Sequence, residues 1–331
     1  NPQDATRAAQ ESRGLGDVYK RQPFNLDNIE IDSIEKTKIY LEKLNLSTLS
    51  LDFYSGTLMA LQKAKNLGIN LQVDTYDNKN SFEEIDKIAN SKKIKNYDFI
   101  LGPFIPRNIN RLSSMLSEFN TPIVSPLTSK EINLNKNIFQ SIPPVELQRE
   151  LMFRHVDSLI LQDPDPCVMI IYDTSTENVK EELLKRFPYA ELIDTDLTMG
   201  LVDPEITDSL LVEQKNNLVF LESQNLNIIT SVSSLLNSQI SKERNINMLS
   251  SYRSETYENE NISFQHLGNL KFTYPTYFYP KYDEELNELN DLFFENFGKL
   301  PNKIVIRAYE ITLDLILRSA FRRKLVKSIN I

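Results

Sequence analysis

The sequence predicts an α/β fold in which parallel sheets are flanked by helices. Three observations predict it. Segments with apolar residues at three- and four-residue spacing alternate along the chain with short apolar strands. The connections between them are short, as in β-α-β units. The segment 167–172, Cys-Val-Met-Ile-Ile-Tyr, is a nearly unbroken apolar run, the signature of a parallel strand buried on both faces.

Taken in order, residues 50–67 place Leu51, Tyr54, Leu58, Leu61, Ala64 and Leu67 on one helical face, and Gly68 follows as a stop. Ile69, Leu71 and Val73 alternate with polar residues as a strand. Ser81-Phe82-Glu83-Glu84 reads as a capping box that opens the next helix. A strand over 97–101 ends at Gly102-Pro103, a helix covers 107–119, and a strand over 122–124 ends at Ser125-Pro126. A second series repeats the grammar: helix 145–161, strand 167–172, helix 177–187, strand 191–193, strand 217–221, helix 224–236 and strand 246–249. The aromatic tract 272–280 breaks the alternation, and helices over 283–297 and 303–325 complete the chain, separated by Gly298 and Pro301.

The 331 residues carry 37 Lys and Arg against 46 Asp and Glu, a net charge of -9. Beyond Arg322-Arg323-Lys324 there is no basic run, so nucleic acid is not the expected partner, because phosphate binding needs clustered cations. No stretch has the roughly 18 apolar residues of a membrane span. A single cysteine, Cys167, excludes an internal disulfide, and His155 and His266 leave little material for a metal site. Neither a nucleophile elbow nor a phosphate-binding Gly-rich loop occurs. No metal, no cofactor and no enzymatic activity are expected.

Several short phrases, in this order, carry a resemblance: Leu51-Asp52-Phe53-Tyr54-Ser55-Gly56 running to Ala60, Tyr76-Asp77, Ile100-Leu101-Gly102-Pro103, Pro122-Ile123-Val124-Ser125-Pro126, Asn137-Ile138-Phe139-Gln140-Ser141-Ile142-Pro143, and Pro301-Asn302 leading to Ala308-Tyr309-Glu310. Together they resemble the type I periplasmic binding proteins, of which the leucine/isoleucine/valine-binding protein is the familiar member. The resemblance implies two α/β lobes, the first from 23–141 plus 276–331 and the second from 145–272, with a ligand closed between them. It places crossovers near 141–144 and 274–280, and makes the aromatic tract hinge and strand packing.

Both ends depart from that pattern. Residues 12–22 resemble the translation of a sequencing adapter, so residues 1–22 are expected to be a foreign or unrelated tail that cannot replace an apolar central strand. The chain stops at Ile331, before the point where the family pattern finishes its sheets, and it reads as a fragment truncated at both ends.

In an open parallel sheet, ligands sit beyond the carboxyl ends of the strands. That rule selects the loops 102–106, 125–129, 173–176 and 222–224. The resemblance implies that a serine in the first loop and a small residue with a threonine in the second hold an α-carboxylate, while an acid of the second lobe holds the ammonium. At the first position this chain has Ile105 or Pro106, without a hydroxyl. Ser125, Thr128 and Ser129 remain for the carboxylate, and Asp173 or Glu222 for the ammonium. The plainer reading of these residues is strand ends and caps. Two functions follow from the resemblance. One is a non-catalytic receptor for an amino-acid-like solute, serving a transporter permease from the periplasm or cell envelope. The other is a ligand-free envelope module associated with peptidoglycan machinery, either linked to lysin-motif (LysM) repeats or similar to a synthase activator.

Overall fold

The computed structural model describes residues 17–22, 35, 40, 45–163, 165–195, 201–278 and 284–322. The chain divides into two compact units, 1–143 with 280–331 and 144–279.

The first unit contains a five-stranded parallel sheet in the order β2-β1-β3-β4-β5, built from β1 (Asp17–Gln22), β2 (Gln72–Asp77), β3 (Phe99–Leu101), β4 (Ile123–Ser125) and β5 (Ile138–Gln140). Among the described residues its helices are α1 (Leu46–Asn66), α2 (Phe82–Ala89), α3 (Pro106–Met115), α9 (Glu284–Phe297) and α10 (Lys303–Arg322). The labels α4 to α8 belong to the second unit. Successive residues of β3 point to opposite faces. Phe99 and Leu101 therefore join a core with Phe53, Ala64, Ala308, Ile311 and Leu315, whereas Ile100 joins Ile85, Ile109 and Leu112 on the other side.

Helices α1 and α10, far apart in sequence, lie against each other. Gly56 makes this possible: a Cβ there would stand 2.1 Å from the Val305 carbonyl oxygen and 2.9 Å from the Ala308 Cβ. At the next residue of α1 the buried Thr57 hydroxyl meets that of Thr312 at 3.2 Å. The start of α1 is set by a reciprocal capping box in which the Asn45 side chain accepts from Ser47 and Thr48 and the Thr48 hydroxyl accepts from the Asn45 N–H.

The second unit has a four-stranded parallel sheet, β7-β6-β8-β9, from β6 (Cys167–Tyr172), β7 (Glu191–Asp194), β8 (Asn216–Glu222) and β9 (Asn245–Leu249). Thr273 extends it beside Leu249. Its helices are α4 (Val145–Gln162), α5 (Glu177–Arg186), α6 (Pro204–Leu210), α7 (Leu226–Ser238) and α8 (Phe264–Asn269). Met169, Ile171, Val219 and Leu221 face the α7 side, while Val168, Ile170, Leu218 and Phe220 face α4 and α5. This two-sided burial is what the unbroken apolar run of β6 predicts. In the aromatic tract, Phe272 stacks on Tyr257 at 4.6 Å and meets Tyr274 at 5.0 Å; residues 279–283 of the second crossover lie outside the described residues.

Four expectations are corrected. The segment 17–22 does not stand apart: β1 is the second strand of its sheet, hydrogen-bonded in parallel register with Gln72–Asp77 on one side and Phe99–Leu101 on the other. The ladder is made by backbone N–H and C=O groups, which every residue here supplies whatever its side chain, and an empty interior position would orphan two rows of them. The strand expected at 69–73 begins instead at Gln72, because Ile69 closes the end of α1: its N–H bonds to the Ala64 carbonyl across Gly68, whose φ is +79°. The box at Ser81 is one-sided: its hydroxyl caps the Glu83 N–H, but Glu84 turns to Lys87 at 2.6 Å. The helix expected at 107–119 ends at Met115, with Leu116 as its C-cap.

Two outcomes check this packing. Gly56→Ala should lower stability by about 2–3 kcal/mol through overpacking, read as a fall in the urea midpoint. Amide hydrogen exchange at residues 18–20 should be protected to the level of residues 99–101; exchange at the rate of an unstructured peptide would remove β1 from the sheet.

Candidate functional site

The carboxyl edge of the first sheet is shaped by the ends of β4 and β5. Ser125 closes β4 and is fully buried; its carbonyl accepts the Ser141 N–H at 3.0 Å and the Ser141 hydroxyl at 2.9 Å, the latter shared with the Pro126 carbonyl at 3.1 Å. The Gln140 amide donates to the Thr128 and Lys130 carbonyls, each at 2.9 Å. β5 therefore holds the loop 125–130 from its neighbouring position. Within the loop the Thr128 hydroxyl accepts the Lys130 N–H at 3.1 Å, a local turn bond, and Ser129 is half-buried. The Ser125 hydroxyl is buried with no hydrogen-bond partner. The sequence reading selected Ser125, Thr128 and Ser129 and missed Gln140 and Ser141; a polar pair directly after the apolar Ile138-Phe139 was the available signal.

The first loop has the chemistry expected of it. Ile105 is the N-cap of α3 and makes no side-chain cap, and Pro106 follows at the first helical position without an N–H. The neighbouring polar structure is an amide chain instead: the Asn78 side chain accepts the Asn80 N–H, and the Asn80 side chain accepts from Asn108 Nδ2, both at 2.9 Å.

At the carboxyl edge of the second sheet, Asp173 directly follows β6 and Glu222 closes β8, both buried. Asp173 caps the turn 174–176, accepting the Ser175 N–H at 2.8 Å and the Ser175 hydroxyl, and its other oxygen accepts the Ser223 hydroxyl at 2.5 Å. The capping reading of Asp173 is thus its observed role in this unit. Glu222 Oε1 accepts the Ser251 N–H at 2.6 Å and Oε2 the Ser251 hydroxyl at 3.0 Å. Its carbonyl takes the Thr176 hydroxyl at 2.6 Å. A carboxylate has about four acceptor positions, so two remain on Glu222.

Burial pushes the Glu222 carboxyl up to about 7, against the opposing pull of the two Ser251 bonds and the Arg149 charge. Arg149, itself buried, is bound through Nη1 to Glu182 at 2.5 Å. The Tyr257 hydroxyl is also raised, first by burial and then by the Glu222 charge. The loop after β9 was not selected from sequence, although the carboxyl-edge rule includes it. There Arg253 pairs with Glu258 at 2.9 Å and lies over the Tyr274 ring at 5.0 Å.

The Cys167 thiol points to the Leu210 carbonyl at 3.4 Å and is pushed up by burial; His155 is exposed on α4. Among the described residues, no group of three or more His, Cys, Asp or Glu is placed to hold a metal ion, and no helix is long and apolar enough to cross a membrane.

No family model matches the chain, and no curated protein does. Solved structures do. One, assigned to branched-chain amino acid ABC transport in Rhodospirillum rubrum, is 11% identical and superposes with a TM-score of 0.63 over 96% of this chain and 89% of that one. An ABC-type branched-chain amino acid transporter protein from Rhodopseudomonas palustris is 11% identical with a TM-score of 0.56, over 95% of this chain and 82% of that one. An ABC transporter substrate-binding protein from Desulfitobacterium hafniense, in complex with Leu, is 14% identical with a TM-score of 0.50, over 95% of this chain and 86% of that one. At these identities the likeness is one of fold: the chain has the type I periplasmic-binding-protein fold.

The Glu222 carboxyl gives a stability signature with a definite sign. Its folded value lies above the ordinary glutamate value of 4.5, so its contribution is fully present below about pH 4.5 and is lost as pH rises through about 7. The loss is on the order of 3 kcal/mol at about 1.4 kcal/mol per pH unit. Glu222→Gln should flatten that part of the urea-stability profile between those limits.

Proposed function

We propose that the chain is a non-catalytic solute-binding receptor domain for an amino-acid-like ligand, working with a transporter permease in the periplasm or cell envelope. The observation that carries the reading is the likeness of both α/β units, over 96% of the chain, to a protein assigned to branched-chain amino acid transport. The Leu complex of the Desulfitobacterium hafniense protein supports the ligand class.

The carboxyl-edge groups suit such a ligand. Ser125, with its buried unpartnered hydroxyl, and Thr128 and Ser129 on a loop held by Gln140 offer donors to a carboxylate. Glu222 offers its remaining acceptor positions to an ammonium group, with Asp173 holding the adjacent loop in place. An α-amino acid carries a carboxylate suited to such donors and an ammonium suited to such an acceptor, and burying either charge unpaired would be costly.

Titration calorimetry of the chain against the common amino acids tests this. Binding should appear for at least one, and Thr128→Ala with Ser129→Ala should weaken it by about 1–3 kcal/mol, the cost of losing hydrogen bonds to a charged group. Silence across the panel would replace the reading with that of a ligand-free interaction module.

A further inference from the structure

We propose that Glu222 is a proton-operated latch on the carboxyl-edge loops of the second unit: ionised, it holds the loop 250–258 tightly, and protonated, it loosens that loop.

Three strand ends converge on this residue. Its carboxylate takes both the N–H and the hydroxyl of Ser251, two residues beyond β9. Its carbonyl takes the Thr176 hydroxyl from the turn after β6. The next residue, Ser223, bonds to Asp173, the cap of that same turn. Among the described residues, Glu222 is the point at which the loops after β6, β8 and β9 are joined.

Among the described residues, the charged and titratable groups around it leave its charge without a contact ion pair. From α4, Arg149 is committed through Nη1 to Glu182 and acts on Glu222 only through space. From the turn 255–258, Tyr257 presents a buried phenol. From the β6 loop, the Asp173 carboxylate is taken by Ser175 and Ser223. On the 250–258 loop itself, Arg253 is paired with Glu258. A carboxylate buried this deeply without a contact ion pair is held in the charged form only by its hydrogen bonds, and sheds the charge by taking a proton nearer neutrality than an exposed glutamate does.

The proton changes the bonds to the loop. Ionised, Glu222 accepts two charge-assisted bonds from Ser251, which are about twice as strong as neutral ones. Once one oxygen carries a hydrogen, both Ser251 bonds lose their charge assistance. Relief of the buried charge stabilises the unit as a whole while the attachment of this loop weakens. The device belongs to the solute-free protein, because a contacting cation would hold Glu222 in its ionised form.

Nuclear magnetic resonance of the full chain without added solute tests it, with labelled glutamate carboxyl carbons and serine amides followed from about pH 5 to about pH 9, a range that brackets ordinary and raised glutamates. One carboxyl should titrate with a midpoint of about 7, and the Ser251 amide should shift with the same midpoint. Both transitions should vanish in Glu222→Gln. Ser251→Ala, which removes one donor that favours the ionised form, should move the carboxyl midpoint upward. Titration of every glutamate below about pH 5.5, as for ordinary carboxyls, would overturn the proposal. So would a Ser251 amide indifferent to the Glu222 transition, or an unshifted midpoint in Ser251→Ala.

Discussion

The absence of a side chain at Gly56 is the constraint on which the first unit depends. It lets the Val305 carbonyl occupy the place where any other residue would carry its Cβ, so that two helices of 21 and 20 residues touch along their lengths. Together they cover one face of the sheet through Phe53, Ala64, Ala308, Ile311 and Leu315. Polar contacts accompany this packing, with Lys299 and Asn302, just before α10, on Asp52, and Lys63 of α1 on Glu288 of α9. Exposed pairs of that kind are worth about 0–1 kcal/mol each, whereas burying a single large apolar side chain is worth roughly 1.5–3 kcal/mol. The close approach of the helices therefore governs the unit, and the surface charges decorate it.

Both sheets solve the same problem at their carboxyl edges, where strands end and loops carrying ligand-type groups begin. In each, a neighbouring strand end supplies the bonds that hold a loop in place. Gln140 and Ser141 do this for the loop 125–130, and Glu222, Thr176 and Ser223 do it for the loops after β6, β8 and β9. Holding a loop before ligand arrives lowers the ordering cost of binding. It also commits polar side chains to internal work. Asp173 shows this: the residue type suits an ammonium ligand, but three donors from its own unit already address it. Buried networks of this kind specify one arrangement when satisfied and are costly when one partner is lost.

Much of the architecture was legible in the sequence. The period of apolar residues located α1, α4, α7 and α10, and the continuous apolar runs located β6 and β8, because burial on one helical face or on both sheet faces leaves a local pattern. The candidate residues were also legible as a class, since the carboxyl ends of parallel strands follow from the order of elements. What they do was not. Ser125, Thr128, Asp173 and Glu222 owe their surroundings to Ser141, Gln140, Ser223 and Ser251, which lie 12 to 50 residues away along the chain. The short strand β5 carried too few residues to show a period at all.

The sequence by itself determined the α/β class, the two series of elements and most of the strand ends, since these rest on local periodicity and turn chemistry. Only the tertiary structure decided that Asp17–Gln22 belongs in the middle of a sheet, that Gly56 is a helix contact, and that Glu222 is buried against Ser251. The physical reason is common to all three. Backbone ladders, close helix approach and the desolvation of a carboxylate are properties of what lies across the gap, and nothing at the residue itself records its distant neighbour.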